Sequence, residues 1–349
     1  MSNSRPSAII TPTIDPWLVG GFSIVVLAGF IALSSTIPSE IIFGNFVILT
    51  VLLNGSHFMA SYALLYSSRA YIQRYRMAAV YLPIGLLLCG GVSLWLASGP
   101  RANGVGIQAL TVATALYLAL HYTGQAWGMI ASYAYLNGIK FTGLERRVLR
   151  GCLRVMAGWH MVWVLNTSPA YIPTALKSVA PHLMQGFNAL GILSCAVGIA
   201  TLFSVRSHNH KNLPAALALP FLSLYVWYLF LSIFPQSIFW VQIFHALQYL
   251  PFPMRVELNR ASRAEGITYS SPQLKRLFRY SLGLCAAGLF VFVGIDKMLN
   301  YPNGGFEAYI LVLMSLINIH HYFIDGCVWH ISNPEVKAEL FAHLKPREA

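Results

Sequence analysis

The chain has 349 residues, of which 56% are hydrophobic and 10% are charged, and its formal net charge is +12. Because soluble domains carry about 25% charged residues, this composition excludes an ordinary soluble enzyme and predicts an all-α polytopic membrane protein. Basic loops that face anionic lipid headgroups account for the positive charge, and no basic soluble domain is present to favour nucleic-acid binding.

Ten apolar segments of roughly membrane-spanning length follow one another along the chain. The fifth is diluted by Trp159, His160 and Asn166, and the eighth is short and ends at a Pro-Phe-Pro sequence. We predict one transmembrane domain over residues 1–349, with a cytoplasmic loop at 255–279 and a tail at 334–349 as appendages. The predicted spans are 17–35, 42–66, 79–97, 106–136, 152–171, 179–205, 213–234, 238–252, 280–299 and 306–329.

The distribution of basic residues gives an independent argument for ten spans. If the two termini lie on one side of the membrane, that side holds 20 Lys and Arg residues, whereas the other side holds only Arg101, Lys177 and Lys297. Cytoplasmic loops carry an excess of Lys and Arg. The sequence therefore predicts that both termini are cytoplasmic, in a membrane such as the bacterial inner membrane.

Six histidines lie inside the apolar segments, where ionisable side chains are costly and usually functional. Spans two, four, eight and ten all descend towards the cytoplasm, and they place their histidines at similar depths, roughly 15–24 Å from the cytoplasmic ends. The histidine on span five enters from the opposite direction and lies at a shallower depth. Since imidazole is the commonest metal ligand, the pattern predicts a metal site. Its candidate ligands are His57, His121, His160, His245, His320 and His321, together with Asp325.

Four of these helices carry a polar residue three or four positions after a histidine, and hence on the same helix face. Metal-bound histidine usually donates its second ring N–H to such a group. We therefore predict that Asp325 is a ligand or an orienting residue, and that the others orient the histidines. These others are Ser61 after His57, Gln125 after His121, and Gln248 and Tyr249 after His245, with His330 as a further candidate beyond Asp325.

The donor set leaves the cofactor open. Several histidines with one carboxylate suit one or two iron ions, with copper as an alternative. Four of the histidines instead suit two b-type haems as bis-histidine pairs. Haem usually needs small residues beside its ligands, and the bulky Phe58, Tyr122, Phe244 and Tyr322 found here favour bare metal ions.

The histidine pattern resembles that of two families of membrane oxygenase. The pair His320-His321 is similar to part of the histidine boxes of integral-membrane di-iron hydroxylases and desaturases. The dispersed histidines and the His-x4-Asp spacing of His320 and Asp325 resemble the bacterial Brp/Blh-type β-carotene-cleaving oxygenases. Two positions depart from the second pattern, because Tyr62 stands at the aspartate spacing after His57 and Tyr249 stands where a second histidine is expected. The resemblance implies iron and a long apolar substrate such as a carotenoid.

These observations predict a membrane-embedded non-haem iron oxygenase or related oxidoreductase that acts on a lipophilic substrate, with a reductase or a larger membrane complex as a further partner. Two alternatives stay open. One is a haem- or metal-bearing electron-transfer or accessory subunit. The other is a transporter that uses a histidine relay, for which acidic residues within the spans are scarce.

Overall fold

The computed structural model describes residues 8–44, 47–98, 104–167, 178–265, 271–295, 306–329 and 333–344. Within these ranges the regular elements are all helical and no β-strand occurs, which confirms the all-α prediction. The helices are labelled here in chain order: α1 (Trp17–Ala32), α2 (Ser39–Phe43), α3 (47–65), α4 (Arg69–Arg74), α5 (Met77–Ser98), α6 (Val105–Leu136), α7 (Gly143–Thr167), α8 (Ala180–Asn209), α9 (Ala215–Ile233), α10 (Ile238–Tyr249), α11 (Pro251–Glu265), α12 (Ser271–Gly294), α13 (Phe306–Val328) and α14 (Pro334–Leu340).

Seven helical stretches of the described chain are long and apolar enough to cross a membrane, and α1 is a shorter apolar helix. The predicted fifth and eighth spans are helical but are not among the seven. Charged residues dilute the first half of α7, and the 12 residues of α10 rise only about 18 Å, less than the hydrocarbon thickness. The count of ten spans and the cytoplasmic termini therefore stay predictions. The seven stretches are Ser39–Leu65, Met77–Ser98, Val105–Leu136, Ala180–Asn209, Ala215–Ile233, Ser271–Gly294 and Ala308–Val328.

The 32-residue helix α6 lies at the centre of the bundle, where it packs against α5, α7, α9 and α13. Its C-terminus is fixed by a Schellman motif. Gly138 has a φ of 61°, the amide of Ile139 donates to the carbonyl of Ala134, and the amide of Gly138 donates to that of Tyr135. The helix is about 48 Å long, so it exceeds the roughly 30 Å hydrocarbon thickness of a bilayer.

A π-helical turn, Val51–Gly55, interrupts α3 just before His57. Such turns shift the register of the residues that follow and occur frequently at functional sites. At the same level α3 touches α12 backbone to backbone, since a Cβ added to Gly288 would lie 2.9 Å from the carbonyl carbon of Gly55. The turn and the close contact together set where His57 points.

The two ends of the described chain meet in a polar layer, which we call the terminal layer: residues 8–15, α11, α14 and Ala342–Leu344. The Asp15 carboxylate accepts three backbone N–H groups, from Ile9 at 2.6 Å, Ile10 at 2.9 Å and Thr11 at 3.1 Å. Arg255 donates to the carbonyl of Ile9. The predicted loop 255–279 and tail 334–349 thus contribute packed helices, α11 and α14, where the structure describes them.

Candidate metal centre

Three buried histidines and one carboxylate converge inside the bundle. The metal-binding atoms of His57 on α3, His121 on α6, and His321 and Asp325 on α13 all lie within 4.8 Å of one another. We call these four residues the ligand cluster. Ligand atoms at about 2.1 Å from one tetrahedral ion lie about 3.4 Å apart, so the widest separations would have to close by up to about 1.4 Å for all four atoms to bind a single ion. The ligand cluster can therefore hold a metal ion.

His245 on α10 adjoins the ligand cluster. Its Nε2 lies 3.0 Å from the Nε2 of His121, and its ring centroid lies 4.9 Å from that of His57. Two nitrogens bound at right angles to one ion at about 2.1 Å are separated by about 3.0 Å, which is the separation found here. Without an ion, one of the two nitrogens must donate to the other. A fourth helix thus supplies a fifth candidate ligand.

The carboxylate of Asp325 is held by only one of its two oxygens. Ser61 donates to Oδ1 at 2.6 Å and Tyr249 donates to the same atom at 3.3 Å. The indole of Trp329 donates in turn to the Tyr249 hydroxyl at 2.6 Å. Ser61 and Tyr249 thus fix the position of Oδ1, and Trp329 fixes the Tyr249 hydroxyl.

The other oxygen of Asp325 faces the histidines. Oδ2 lies 3.5 Å from the Nε2 of His321 and 4.0 Å from the Nε2 of His121, and within the described residues it accepts no hydrogen bond. A carboxylate oxygen turned towards imidazole nitrogens in a buried site matches a position for a cation, since a bound ion would compensate the charge that burial otherwise makes costly.

Orphaned nitrogen atoms give an independent test of whether a metal fits. His57 and His321 are 0% exposed, and among the described residues neither ring nitrogen of either side chain has a hydrogen-bond partner. A buried donor or acceptor left unpaired costs about 1–3 kcal/mol. A metal ion that binds one nitrogen of each ring would remove part of that cost. The donor set and its unpaired atoms therefore fit a bound ion.

Two of the predicted ligands face elsewhere. His320 precedes His321, but its Nδ1 lies 3.0 Å from the Tyr62 hydroxyl and its Nε2 lies 2.7 Å from the carbonyl oxygen of Ala78. His160 is buried beside Tyr122, Trp163 and Tyr228, and it does not belong to the ligand cluster. Consecutive residues on a helix differ by about 100°, so only one of His320 and His321 can face the centre of the bundle.

The residues predicted to orient the ligands also divide. Ser61 and Tyr249 hold Asp325, as described above, and Gln125 donates to the carbonyl oxygen of His245 at 3.1 Å. Gln248 points away from the histidines and donates to the carbonyl of Val19 and to the hydroxyl of Ser223. His330 lies outside the described residues.

Trp329 is the orienting residue that the sequence did not single out, because tryptophan near a helix end usually anchors at the membrane interface. It lies four positions after Asp325. The spacing rule that linked Ser61 to His57 and Asp325 to His321 would have included it, had the rule been carried one more turn.

A cavity of about 290 Å³ adjoins the ligand cluster. His121 and Asp325 form part of its wall, and the exposed residues Leu120, Gly124 and Gly326 show that it reaches the protein surface between α6 and α13. Leu120 lies at the middle of α6, where a membrane-spanning helix faces hydrocarbon. The cavity thus connects the buried cluster with the apolar surface of the bundle.

No protein-family model, no curated protein and no solved structure matches this chain.

Proposed function

We propose that this protein is an integral-membrane, metal-dependent oxidoreductase, specifically a non-haem iron oxygenase that acts on a lipophilic substrate. One observation carries the proposal: buried ligands from three helices converge beside a cavity that opens at mid-helix on an apolar surface. The metal site and the opening together favour redox chemistry on a molecule that is dissolved in the membrane.

Histidine nitrogens with a carboxylate oxygen are the donor set of non-haem iron oxygenases, which bind iron by two histidines and one carboxylate and leave positions open. The ligand cluster offers one histidine more than this minimum, and His245 offers another. A single ion uses these groups most simply. A second ion would need further donors, which favours one iron over two.

The packing of the rings favours a bare ion over haem. The ring of His57 lies 4.3 Å from that of His321 and 4.1 Å from that of Tyr249, measured between centroids. The ring of His121 lies 4.8 Å from that of His245. A porphyrin between any of these pairs would have to displace several buried aromatic side chains. An electron-transfer subunit with b-type haem is therefore the weaker candidate.

The side chains of this chain would have distinct roles. The three histidines would bind the ion, and the Asp325 carboxylate would also balance its charge. Trp329 and Tyr249, acting through their hydrogen bonds, would keep the second oxygen of Asp325 directed at the centre. When iron is bound, it supplies the capacity to bind and activate O₂. The aromatic wall of Tyr249 and Tyr322 would exclude water from the reacting atoms.

The electron balance depends on the reaction. Cleavage of one carbon–carbon double bond of a polyene by O₂ places one oxygen atom in each of two carbonyl products and needs no external reductant. Hydroxylation of a C–H bond leaves the second oxygen atom as water and takes two electrons and two protons from a reductase partner. Both reactions suit a lipophilic substrate, and product analysis distinguishes them.

Metal analysis tests the proposal with a control that the sequence itself provides. Protein purified anaerobically with iron supplementation should carry stoichiometric iron, and His321→Ala should lose it. His320→Ala, altered at the neighbouring position, should keep the iron, because its ring faces Tyr62 and Ala78. Folding of each variant is checked by its size-exclusion profile.

Four results would overturn the proposal. Wild-type protein without stoichiometric metal would remove the metal centre. Equal loss of iron from both variants would mean that the ligand cluster does not determine binding. A Soret absorption band in the purified protein would replace the non-haem centre with haem. Substrate-coupled ion movement in vesicles, without metal, would favour the transporter instead.

A further inference from the structure

A positively charged side chain also lines the cavity beside the ligand cluster. Arg150 of α7 lines it, and its guanidinium carbon lies 5.8 Å from the centroid of the Trp127 ring, a cation–π arrangement. Among the residues that line the cavity, Arg150 is the one Lys or Arg and Asp325 is the one acid. Within the described part of the chain, no carboxylate forms an ion pair with Arg150. The charge of Arg150 is thus available to an anion.

Glycines leave open space along the cavity wall. Gly124 and Gly128 are one turn apart on α6, and Gly326 is on α13. A Cβ added at any of the three would meet no atom within 4 Å. The cavity therefore has a smooth wall along which a slender apolar chain can lie.

Helix α6 gives the length of this binding region. Cavity-lining residues on α6 run from Tyr117 to Ser132, a rise of about 22 Å, and His121 precedes Trp127 by about 9 Å along the helix. A chain that lies parallel to α6 with its head group at Arg150 would pass His121 and Asp325. The cation and the ligand cluster thus lie at different levels of one continuous cavity.

We propose that the cavity binds a single-chain amphiphile with an anionic head group, a carboxylate or a phosphate. The head group pairs with Arg150, which is preorganised by Trp127, and the apolar chain lies along the glycine wall towards the ligand cluster. As the substrate of the oxidation, this ligand rests on the proposed function, but its binding does not require the metal. It also replaces the neutral carotenoid that the sequence resemblance implies.

Binding can be measured on the full-length protein, stripped of metal, in phosphatidylcholine nanodiscs. The probes are oleate and oleyl alcohol, which share a chain and differ in charge, and retention is measured by mass spectrometry. Wild-type protein should retain oleate about fivefold better than the alcohol, as one charge-assisted contact near the surface allows. Arg150→Gln should abolish this preference. Arg147→Gln should keep it, since Arg147 is on the same helix but does not line the cavity.

A second pair of variants tests the path of the chain. Gly128→Leu should fill the cavity and weaken retention of both probes, whereas Gly151→Leu, which also projects into open space but outside the cavity, should not. Displacement of oleate by oleoyl lysophosphatidic acid at lower concentration would assign a phosphate head group, and the reverse order would assign a carboxylate. Both outcomes support the proposal.

Several results would overturn it. An equal loss of the oleate preference in Arg147→Gln and Arg150→Gln would assign the effect to surface charge rather than to the cavity. Unchanged oleate retention in Gly128→Leu would mean that the acyl chain does not lie in the cavity. Displacement of oleate by phosphatidylglycerol alone would mean that the site binds ordinary membrane lipid. Iron content, measured on each preparation before the metal is stripped, separates the two proposals. Bound iron without a preference for oleate would contradict only the amphiphile-binding proposal. A preference for oleate without bound iron would contradict only the oxidoreductase proposal.

Discussion

The ligand cluster and the terminal layer both bury polar side chains, but they treat them in opposite ways. In the terminal layer the polar groups are matched: Asn259 donates to the carbonyls of Glu339 and Leu340, and Arg260 lies 2.7 Å from the Glu339 carboxylate. In the ligand cluster, both nitrogens of His57 and of His321 lack partners within the described chain. The terminal layer is therefore held together by contacts within the chain, whereas the unpaired ring nitrogens of the ligand cluster could bind an ion.

Replacing His57 by leucine tests this contrast most severely. In metal-free protein, His57→Leu should melt at or above the temperature of the wild type, because an unpaired buried imidazole costs about 1–3 kcal/mol. Ferrous iron should raise the melting temperature of the wild type by about 5–10 °C and leave the variant unchanged. Differential scanning fluorimetry with and without iron gives both values. A metal-free variant well below the wild type would mean that His57 has a structural partner.

The next largest effect concerns the charge of Asp325. Asp325→Asn keeps the size of the side chain and an oxygen that accepts from Ser61, but it removes the negative charge at the ligand cluster. Iron affinity should fall by more than about 100-fold, beyond the range for residues that only orient a ligand. Competition with a chelator of known affinity measures this change. Wild-type affinity in the variant would reduce Asp325 to a hydrogen-bonding residue.

A smaller loss is expected when the hydrogen bonds behind Asp325 are removed. Tyr249→Phe takes away the hydroxyl that links Trp329 to the carboxylate, and iron affinity should fall about tenfold. Tyr62→Phe is the matched control, since its hydroxyl contacts His320 and not Asp325. The same chelator assay applies. Equal affinities for the two variants would show that the orientation of Asp325 does not depend on Tyr249.

The smallest effect is expected in the terminal layer. Burial, aided by the nearby Arg255 guanidinium, lowers the pKa of His343 from 6.5 to about 4. Between these two values the folded chain keeps His343 neutral, while the unfolded chain takes up a proton. The free energy of unfolding of this layer should therefore fall as the pH drops from 6.5 towards 4.

Hydrogen exchange of peptides covering residues 334–344, corrected for the intrinsic pH dependence of exchange, measures this loss. His343→Gln should flatten the response, because glutamine does not titrate and still carries a donor for the carbonyl of Ala8. A pH response of the same size in the variant would assign the effect to another group.

The sequence predicted that His57, His121, His321 and Asp325 lie close together, because the charge distribution and the apolar periodicity give the depth of each residue along its helix. Apolar segments placed histidines on several helices at one level, and the i+4 rule placed Asp325 on the face of His321. Neither rule distinguishes His320 from His321, because both lie in apolar surroundings and their directions differ only by one helical step. That choice is made by packing, since the Tyr62 hydroxyl and the Ala78 carbonyl provide partners for His320.

Other features could not be read from the pattern for the same reason. Gln248 has the correct spacing to orient His245, but the carbonyl of Val19 and the hydroxyl of Ser223 compete for its amide. Such partners come from helices that are distant in sequence. Arg150 was counted only as one of many basic residues, and its place in the cavity wall depends on how α7 packs against α6.

Because α6 is longer than the bilayer is thick, the position of the site within the membrane depends on the thickness of the bilayer. A helix of about 48 Å in a hydrocarbon layer of about 30 Å must tilt or protrude. The Schellman motif at its C-terminus, which is predicted to face the cytoplasm, keeps that end of the helix ordered in either case. Because His121 and Trp127 are on this one element, a thinner membrane moves both together relative to the lipid. The composition of the membrane would therefore change how deep a lipid must travel to reach the ligand cluster, while the spacing between the two residues stays constant.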